Sequence, residues 1–414
     1  MLHTKSYGGG LLVASLFSTA ASAANFGGPD SVENTISGQP AEKRSWREGL
    51  VQKGVTLGLD YNSVGFNSAN GSEGNRVSTS GGVARFYGQW DIIGRDTGNT
   101  GGLVWKVEHR HAYSDYPPKD YSFLSGFSGN EGLGYIGLIQ PAFNDQGSRL
   151  TNFHWKQRLN SGKTSIIVGF QDVTDYVDTY ALASPWTAFS NLAFQTGAGA
   201  MGLPDDGLLS LSAGHMLTDN FYIVAGVADA NGRSDIEDVF EGFDTLFNKH
   251  DYFTTLELGW TASQEQIYTD NIHLTYWHLD ATFNDDGSAR HGAFASQGLN
   301  YSLSYFATPQ LMPFLRGGFS FEGDAALYDV SVSAGFGYFA LGTPNNNVGV
   351  AVNWSQANKE AWGTDENQSA IEVFYNMQFG EYFQLTPDLQ WINNPLLSSE
   401  SNAFVFGLRG RIFI

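Results

Sequence analysis

The chain has 414 residues, no cysteine, and 42 acidic against 22 basic side chains, for a formal charge of −20. That balance excludes nucleic acid as a partner, since phosphate binding needs a basic face, and the missing cysteine argues against a disulfide-stapled secreted module. Fifty glycines and 14% aromatics, with a mean hydropathy of only −0.23, suit a wall that is apolar on one side and polar on the other.

The chain opens as an export signal. Lys5 supplies a sparse positive region, Gly8 to Ala20 a mildly apolar core, and Ala21-Ser22-Ala23 a small-residue cleavage site, so residues 1–23 are expected to be a signal peptide. No later run reaches the roughly 18 apolar residues of a spanning helix. Residues 24–53 are expected to form a periplasmic amino-terminal segment, turn-rich over Asn25–Pro40 and suited to a short helix over Ala41–Lys53. From Gly54 the hydrophobic period becomes two, which assigns residues 54–414 to one all-β domain.

Roughly sixteen segments have the length of tilted spanning strands, about 9–11 residues. They are Val55–Phe66, Gly82–Ile93, Gly102–Ala112, Arg149–Leu159, Lys163–Gln171, Leu208–Met216, Phe221–Asp229 and Tyr252–Thr261. Then come Asn271–Asp280, Ser296–Phe306, Pro313–Glu322, Leu327–Phe339, Val348–Gln356, Ser369–Phe379, Phe383–Ile392 and Asn402–Ile414. Their links sort by parity. Asn160–Gly162, Leu217–Asn220 and Gly380–Tyr382 are short, whereas Asn67–Gly81, Tyr113–Ser148, Asp172–Gly207, Ala230–Asp251 and Ala281–Ala295 are long. Short turns at one rim and long loops at the other are the mark of a transmembrane antiparallel β-barrel with periplasmic turns and extracellular loops. The last segment fits. Phe404, Phe406, Leu408, Ile412 and Ile414 share one parity and Arg409 and Arg411 the other, as a strand sealing a barrel in lipid requires.

The parity opposite the oily one must line the lumen. Arg85, Tyr87, Gln89 and Asp91 fall inside on the second strand, Lys106, Glu108 and Arg110 on the third, and Asn152, His154, Lys156 and Arg158 on the fourth. Closure adds Arg409 and Arg411. Arg85, Tyr87, Lys106, Glu108, Arg110, Asn152, Lys156, Arg158 and Arg409 are therefore the candidate pore-constriction residues, with cations to donate hydrogen bonds to hydroxyls and Tyr87 to stack on a sugar ring. The bland reading is that these cations neutralise nearby carboxylates. Ser331, Ser333, Asn353, Asn376, Gln378, Gln384 and Gln390 promise a neutral wall on the later strands, with Glu257, Glu322, Glu372 and Asp388 as anions. Cations on one side and acids with amides opposite would set up a transverse field.

Other motifs lack context. Gly132-Leu133-Gly134-Tyr135-Ile136-Gly137 matches G-x-G-x-x-G, but neither a preceding strand nor a βαβ unit frames it. Asp229–Gly232 and Asn284–Gly287 resemble pieces of calcium loops, for which turns are the simpler account. His109 and His111 fall on the oily parity near a rim, which suits an interfacial position better than a metal site. There is no G-x-S-x-G, no H-E-x-x-H and no cysteine nucleophile, so neither a catalytic residue, a metal site nor a cofactor is assigned.

Pro387-Asp388-Leu389-Gln390-Trp391-Ile392 followed by Asn394-Pro395 resembles the penultimate-strand signature of the OprB-like carbohydrate-selective porins. Arg47–Val55, Gly226–Gly232 and Ser296–Leu299 are also similar to that family. The resemblance implies a sixteen-stranded barrel of the bacterial outer membrane that passes glucose and related sugars by facilitated diffusion. It also implies long loops folded into the channel and arginines at a narrow eyelet. Asp172–Gly207, with Trp186, Phe189 and Phe194, is the first candidate for such a loop, and Tyr113–Ser148 the second. The final Ile414 departs from the aromatic end usual in such barrels. The expected partners are small sugars, outer-membrane lipid and lipopolysaccharide, with the protein a monomer or homotrimer. A general diffusion pore, an outer-membrane barrel enzyme and a secreted β-lectin are the competing readings.

Overall fold

Alternating apolar and polar residues carry the chain through a series of strands that hydrogen-bond edge to edge until the last meets the first. The computed structural model describes residues 45–125, 131–232 and 241–414. The expected signal peptide over 1–23 and the turn-rich segment Asn25–Pro40 lie outside these residues. So do the start of the expected helix and parts of the loops Tyr113–Ser148 and Ala230–Asp251. A short helix, α1 (Ser45–Gln52), leads into β1 (Val55–Ser68), β2 (Val77–Ile93), β3 (Gly101–Ala112), β4 (Gly147–Leu159), β5 (Thr164–Gln171) and β6 (Leu208–Met216). Next are β7 (Phe221–Asp229), β8 (Tyr252–Thr261), β9 (Asn271–Leu279), β10 (Thr282–Phe283), β11 (Ala289–Gly292) and β12 (Ser296–Ser304). The series ends with β13 (Leu311–Glu322), β14 (Tyr328–Phe339), β15 (Asn347–Ala357), β16 (Asn367–Phe379), β17 (Phe383–Asn393) and β18 (Asn402–Phe413). β10 and β11 form a separate hairpin, and the other strands close one barrel in sequence order, with β18 sealed against β1. The pairing is antiparallel throughout, and Asn62 faces Arg411 and Val64 faces Arg409 across the seam.

Alternation assigns the two faces. On β18, Phe404, Phe406, Leu408 and Ile412 are exposed while Ala403, Val405, Arg409 and Arg411 are buried. The same outward row continues through Phe86, Trp90, Val168, Leu211, Leu258, Val352 and Leu389. In water so large an apolar surface would drive association, whereas in a bilayer it is the solvated face. Closure leaves no edge of the barrel unpaired, the condition for a β-structure to cross hydrocarbon. Among the described residues no helix is long and apolar enough to cross a membrane.

The links keep the expected parity. Residues 94–100, 160–163, 217–220 and 380–382 turn at one rim, with Asn160 and Ser161 in the left-handed region at φ 54° and 56°. Residues 113–146, 172–207, 230–251 and 280–295 connect at the other. One expected loop is shorter than Asn67–Gly81. Backbone pairing carries β1 and β2 on to Ser68 opposite Val77, so the link is only 69–76. Ser78, Thr79 and Ser80 gave no apolar period there, but ladder hydrogen bonds need none. The loop 281–295 also contains the β10–β11 hairpin, which hydrophobic alternation did not mark.

The lipid-facing assignment predicts a position-dependent cost of charge. Leu408→Arg, within the exposed apolar row of β18, should cost about 2–4 kcal/mol of unfolding free energy in phospholipid vesicles, and Asn402→Arg at the rim about 0–1. Equal costs at the two positions would contradict it.

Candidate functional site: the seam between the basic arc and an inserted loop

Two long loops lie inside the wall. Tyr180, Leu182, Phe189 and Phe194 of loop 172–207 share a buried cluster with Met312, Phe314, Phe339 and Phe374 from β13, β14 and β16. Gly349 on β15 clears the way, since a Cβ there would sit 2.8 Å from the Phe189 ring. Leu133, Tyr135, Ile139 and Phe143 of loop 113–146 pack with Val64, Phe66, Val83, Ile392 and Val405. Each such apolar side chain contributes about 1.5–3 kcal/mol by burial, which opposes the entropy of ordering long loops. The inner wall is thus not uniformly polar on the later strands, as expected from their amides and hydroxyls. Where the loops dock, its inward residues are aromatic or aliphatic.

Polar staples fix loop 172–207 in register. Asp178 accepts from Arg316 at 2.6 Å, from His273 Nε2 at 2.9 Å and from the Gly197 N–H at 2.8 Å. Its own N–H donates to Glu257, which also accepts from Tyr222 and Thr275. Further along, Glu372 accepts from the N–H groups of Ser190 and Asn191 at 2.6 and 2.9 Å. Arg409 donates to the carbonyls of Pro185 and Ala188 at 2.6 and 2.9 Å. The loop's first and last residues meet the basic arc. Lys106 lies 3.1 Å from Asp175 and 3.8 Å from Asp172, and Asp206 bridges Arg110 at 3.0 Å and Arg149 at 2.6 Å. Burial opposes ionisation of Asp206, yet the guanidinium groups of Arg149 and Arg110 outweigh it and hold its carboxyl well below the usual range. Burial, reinforced by the Asp175 carboxylate, pushes Asp172 up to about 7 against the pull of Lys106.

The expected constriction residues separate into groups. Lys106, Glu108, Arg110 and Asn152 form one network with the loop, where Arg110 also holds Glu108 and Asn152 donates to Asp175 at 2.8 Å. Arg85 belongs to a second cluster. It pairs with Asp60, which Arg411 also approaches at 2.9 Å, and its guanidinium lies 4.2 Å from the Trp186 ring centroid. Tyr87 is half-buried, its ring centroid 5.4 Å from the Arg85 guanidinium carbon. Arg409 sits under the loop as described. Lys156 and Arg158 lie nearer the short-turn rim, opposite Gly102 on β3 and Ser165 on β5 respectively. The acids are not confined to the wall opposite the arc. Asp60, Asp172, Asp175 and Asp206 bring the counter-charges to the arc itself, because buried cations are stable only beside their anions. Glu322 is not a lumen anion either: β13 carries an irregularity there, and Glu322 is exposed at the rim, accepting from the outward-facing Gln297 at 2.8 Å.

Four contributors are not among the sequence-based candidates. Arg149 falls on the oily parity by simple counting, but a bulge opposite Lys106 and Val107 inserts Thr151 and flips the facing of the residues above it. Arg316 and His273 are lone basic residues on the inward parity of their strands, away from the arc. Their anion, Asp178, is a loop residue at φ 47° with no periodicity to mark its position. Of the rejected motifs, the glycine-rich run 132–137 is irregular loop, and His109 and His111 face outward, bonded to Ser148 and Tyr61. Among the described residues no group of three or more His, Asp or Glu is placed to hold a metal.

The fold resembles solved porins. The high-pH structure of Pseudomonas putida OprB superposes with a TM-score of 0.67 at 15% identity, covering 89% of this chain and 96% of that one. Its low-pH structure gives 0.51 at 13% identity, covering 90% and 98%. An anion-selective porin from Comamonas acidovorans gives 0.52 at 12% identity, covering 87% and 99%. No curated protein sequence matches significantly. The model of the carbohydrate-selective porin family OprB matches residues 124–412. The chain belongs to that family: it is a carbohydrate porin of the bacterial outer membrane.

Proposed function

We propose that sugars cross along the seam between the basic arc of β2–β4 and loop 172–207, and that this seam favours uncharged sugars such as glucose over anions. The observation that carries the reading is the pairing of Lys106 with Asp175 and of Arg110 with Asp206. These carboxylates keep about a quarter of their side-chain surface accessible, 26% and 25%, while the cations are nearly buried. A seam of paired charges offers fixed donors and acceptors to hydroxyls with little net field, whereas an unpaired basic arc would concentrate anions. Arg85, Tyr87, Glu108, Asn152, Lys156, Arg158 and Arg409 complete this filter in the same reading, Arg85 and Arg409 by holding the loop and its Trp186 in place. The channel is passive and has no catalytic role. Residues 1–23 are removed on export, residues 24–53 stay periplasmic, and the apolar wall of 54–414 meets lipid and lipopolysaccharide, as a monomer or homotrimer.

Removing a pair tests the filter without changing net charge. Lys106→Met combined with Asp175→Asn should weaken glucose block of single-channel current in planar bilayers about tenfold, the worth of a hydrogen bond or two to charged groups. Conductance of succinate should change little. Unchanged glucose block would remove the seam from the mechanism, and block of the parent channel by succinate as strong as by glucose would remove its preference.

Loop docking yields a second expectation. Asp178→Ala leaves Arg316 buried without its carboxylate, a loss of about 3–5 kcal/mol for a broken buried pair. Sugar-free conductance should rise or become noisy as the loop leaves its seat, while the barrel keeps its heat-modifiable mobility on gels. A quiet channel of parental conductance would show that the staple does not set the opening.

A further inference from the structure

A second helix, α2 (Glu241–Asn248), sits on the outside of the wall at the long-loop rim, over the ends of β5, β6 and β7. Phe170 on β5 and Leu209 on β6 share the outward parity of Val168 and Leu211, which are 49% and 48% exposed, yet they are themselves only 7% and 8% exposed. The helix is what covers them. Leu246 packs on this pair, Phe243 meets the Phe170 ring edge-on at 5.8 Å, and a Cβ on Gly242 would touch Phe170 at 3.6 Å and Leu209 at 3.7 Å. On β7 the outward position at this rim holds Asp229, an acid that hydrocarbon tolerates poorly. It is buried, and its carboxylate accepts from Thr245 Oγ1 of the helix.

The rest of the helix divides into two flanks. Phe243 and Phe247, one turn apart, form one and are 47% and 65% exposed. Glu241, Asp244 and Asn248 form the other, where Asn248 donates to Asp244. The aromatic flank is the one that touches Phe170, at the head of the row running down β5 through Val168 into the lipid-facing belt. Elsewhere on this rim the wall itself supplies exposed aromatic rings, Phe321 near the end of β13 and Phe404 near the start of β18. Such girdles mark the membrane interface of a barrel. At β5 and β6 the wall's own residues are covered, and Phe243 and Phe247 stand in their place.

We propose that α2 is an interfacial helix that docks on the lipid of the outer leaflet. Its aromatic flank lies among acyl chains just below the headgroups, and its acidic flank faces water. The occupant is lipid because this flank is continuous with the lipid-facing wall: the hydrocarbon that solvates Val168 and Leu211 extends to Phe243 and Phe247, as it does for amphipathic helices lying in a membrane surface. The helix draws the end of loop 230–251 outward to the membrane, whereas loops 113–146 and 172–207 fold into the channel. The proposal rests on the lipid-facing reading of the wall and not on the sugar seam.

The chain has no cysteine, so single cysteines can carry a nitroxide. Phe247→Cys, Asp244→Cys and, as the wall control, Leu211→Cys are labelled in the full chain refolded into phospholipid vesicles. Spin-resonance collision rates with oxygen, which concentrates in hydrocarbon, and with a nickel chelate, which stays in water, read the surroundings of each label. The oxygen-to-nickel ratio at position 247 should be several times that at 244 and close to that at 211. Equal ratios at 247 and 244 beside a lipid-like 211 would overturn the docking alone, and a water-like 211 would sink the reading of the wall as well. Spin–spin broadening at 247 that vanishes on dilution with unlabelled protein would assign the flank to a second copy, and so also overturn it. Phe247→Ser removes little packing within the protein, since the ring is mostly exposed. In vesicles it should speed amide exchange over residues 241–248 about tenfold, the worth of half a phenylalanine side chain leaving hydrocarbon, with glucose block unchanged. Exchange at the parental rate would likewise count against docking.

Discussion

Charge without water governs the inside of this barrel. A wall whose outer face is lipid must turn its ionic residues inward, and a packed interior does not tolerate them singly. Arg85, Arg149, Arg316 and Arg409 are among the largest fully buried side chains, and each meets a carboxylate or a set of carbonyls. Most of those partners come from loop 172–207. The loop is therefore the counter-charge of the wall, and the wall is the reason the loop has one position.

The consequence reaches the chemistry of passage. Unpaired arginines would have made the lumen an anion trap. In the proposed reading, Asp175 and Asp206 convert the same arc into a surface of paired donors and acceptors, which suits solutes that hydrogen-bond at many points and carry no charge. The apolar docking of Phe189 and Phe194 against Phe314 and Phe374 supplies what the ion pairs do not. Buried ion pairs contribute little net stability once desolvation is counted, but they are specific in geometry. Here aromatic burial holds the loop in, and the ion pairs choose its register.

How much of this was legible from residue order varied by element. Leu208–Met216, Phe221–Asp229 and Tyr252–Thr261 were read to the residue, because strict alternation bounded by turn residues leaves little choice. The top of the β1–β2 hairpin has no mark in the sequence, since Ser78 to Ser80 carry no hydrophobic period and are held chiefly by backbone pairing. Arg149 was lost to a bulge of one residue, and Glu322 to an irregularity near the top of β13. Asp178 and Asp206 were unreadable as site residues, because nothing local in a loop announces which distant cation it will meet.

The order of residues alone was enough to specify the barrel, its lipid-facing rows, the sorting of its loops between rims and the existence of a basic arc. Those properties follow from a period of two and from spacing along the chain, which are local. Whether the arc is free or neutralised, which carboxylates neutralise it, and where the lumen is apolar were left to the folded chain. These depend on contacts such as Arg316 with Asp178 or Arg409 with Ala188, between groups far apart in sequence. Such contacts arise only when closure fixes every strand's register and leaves the loops one interior shape to fill.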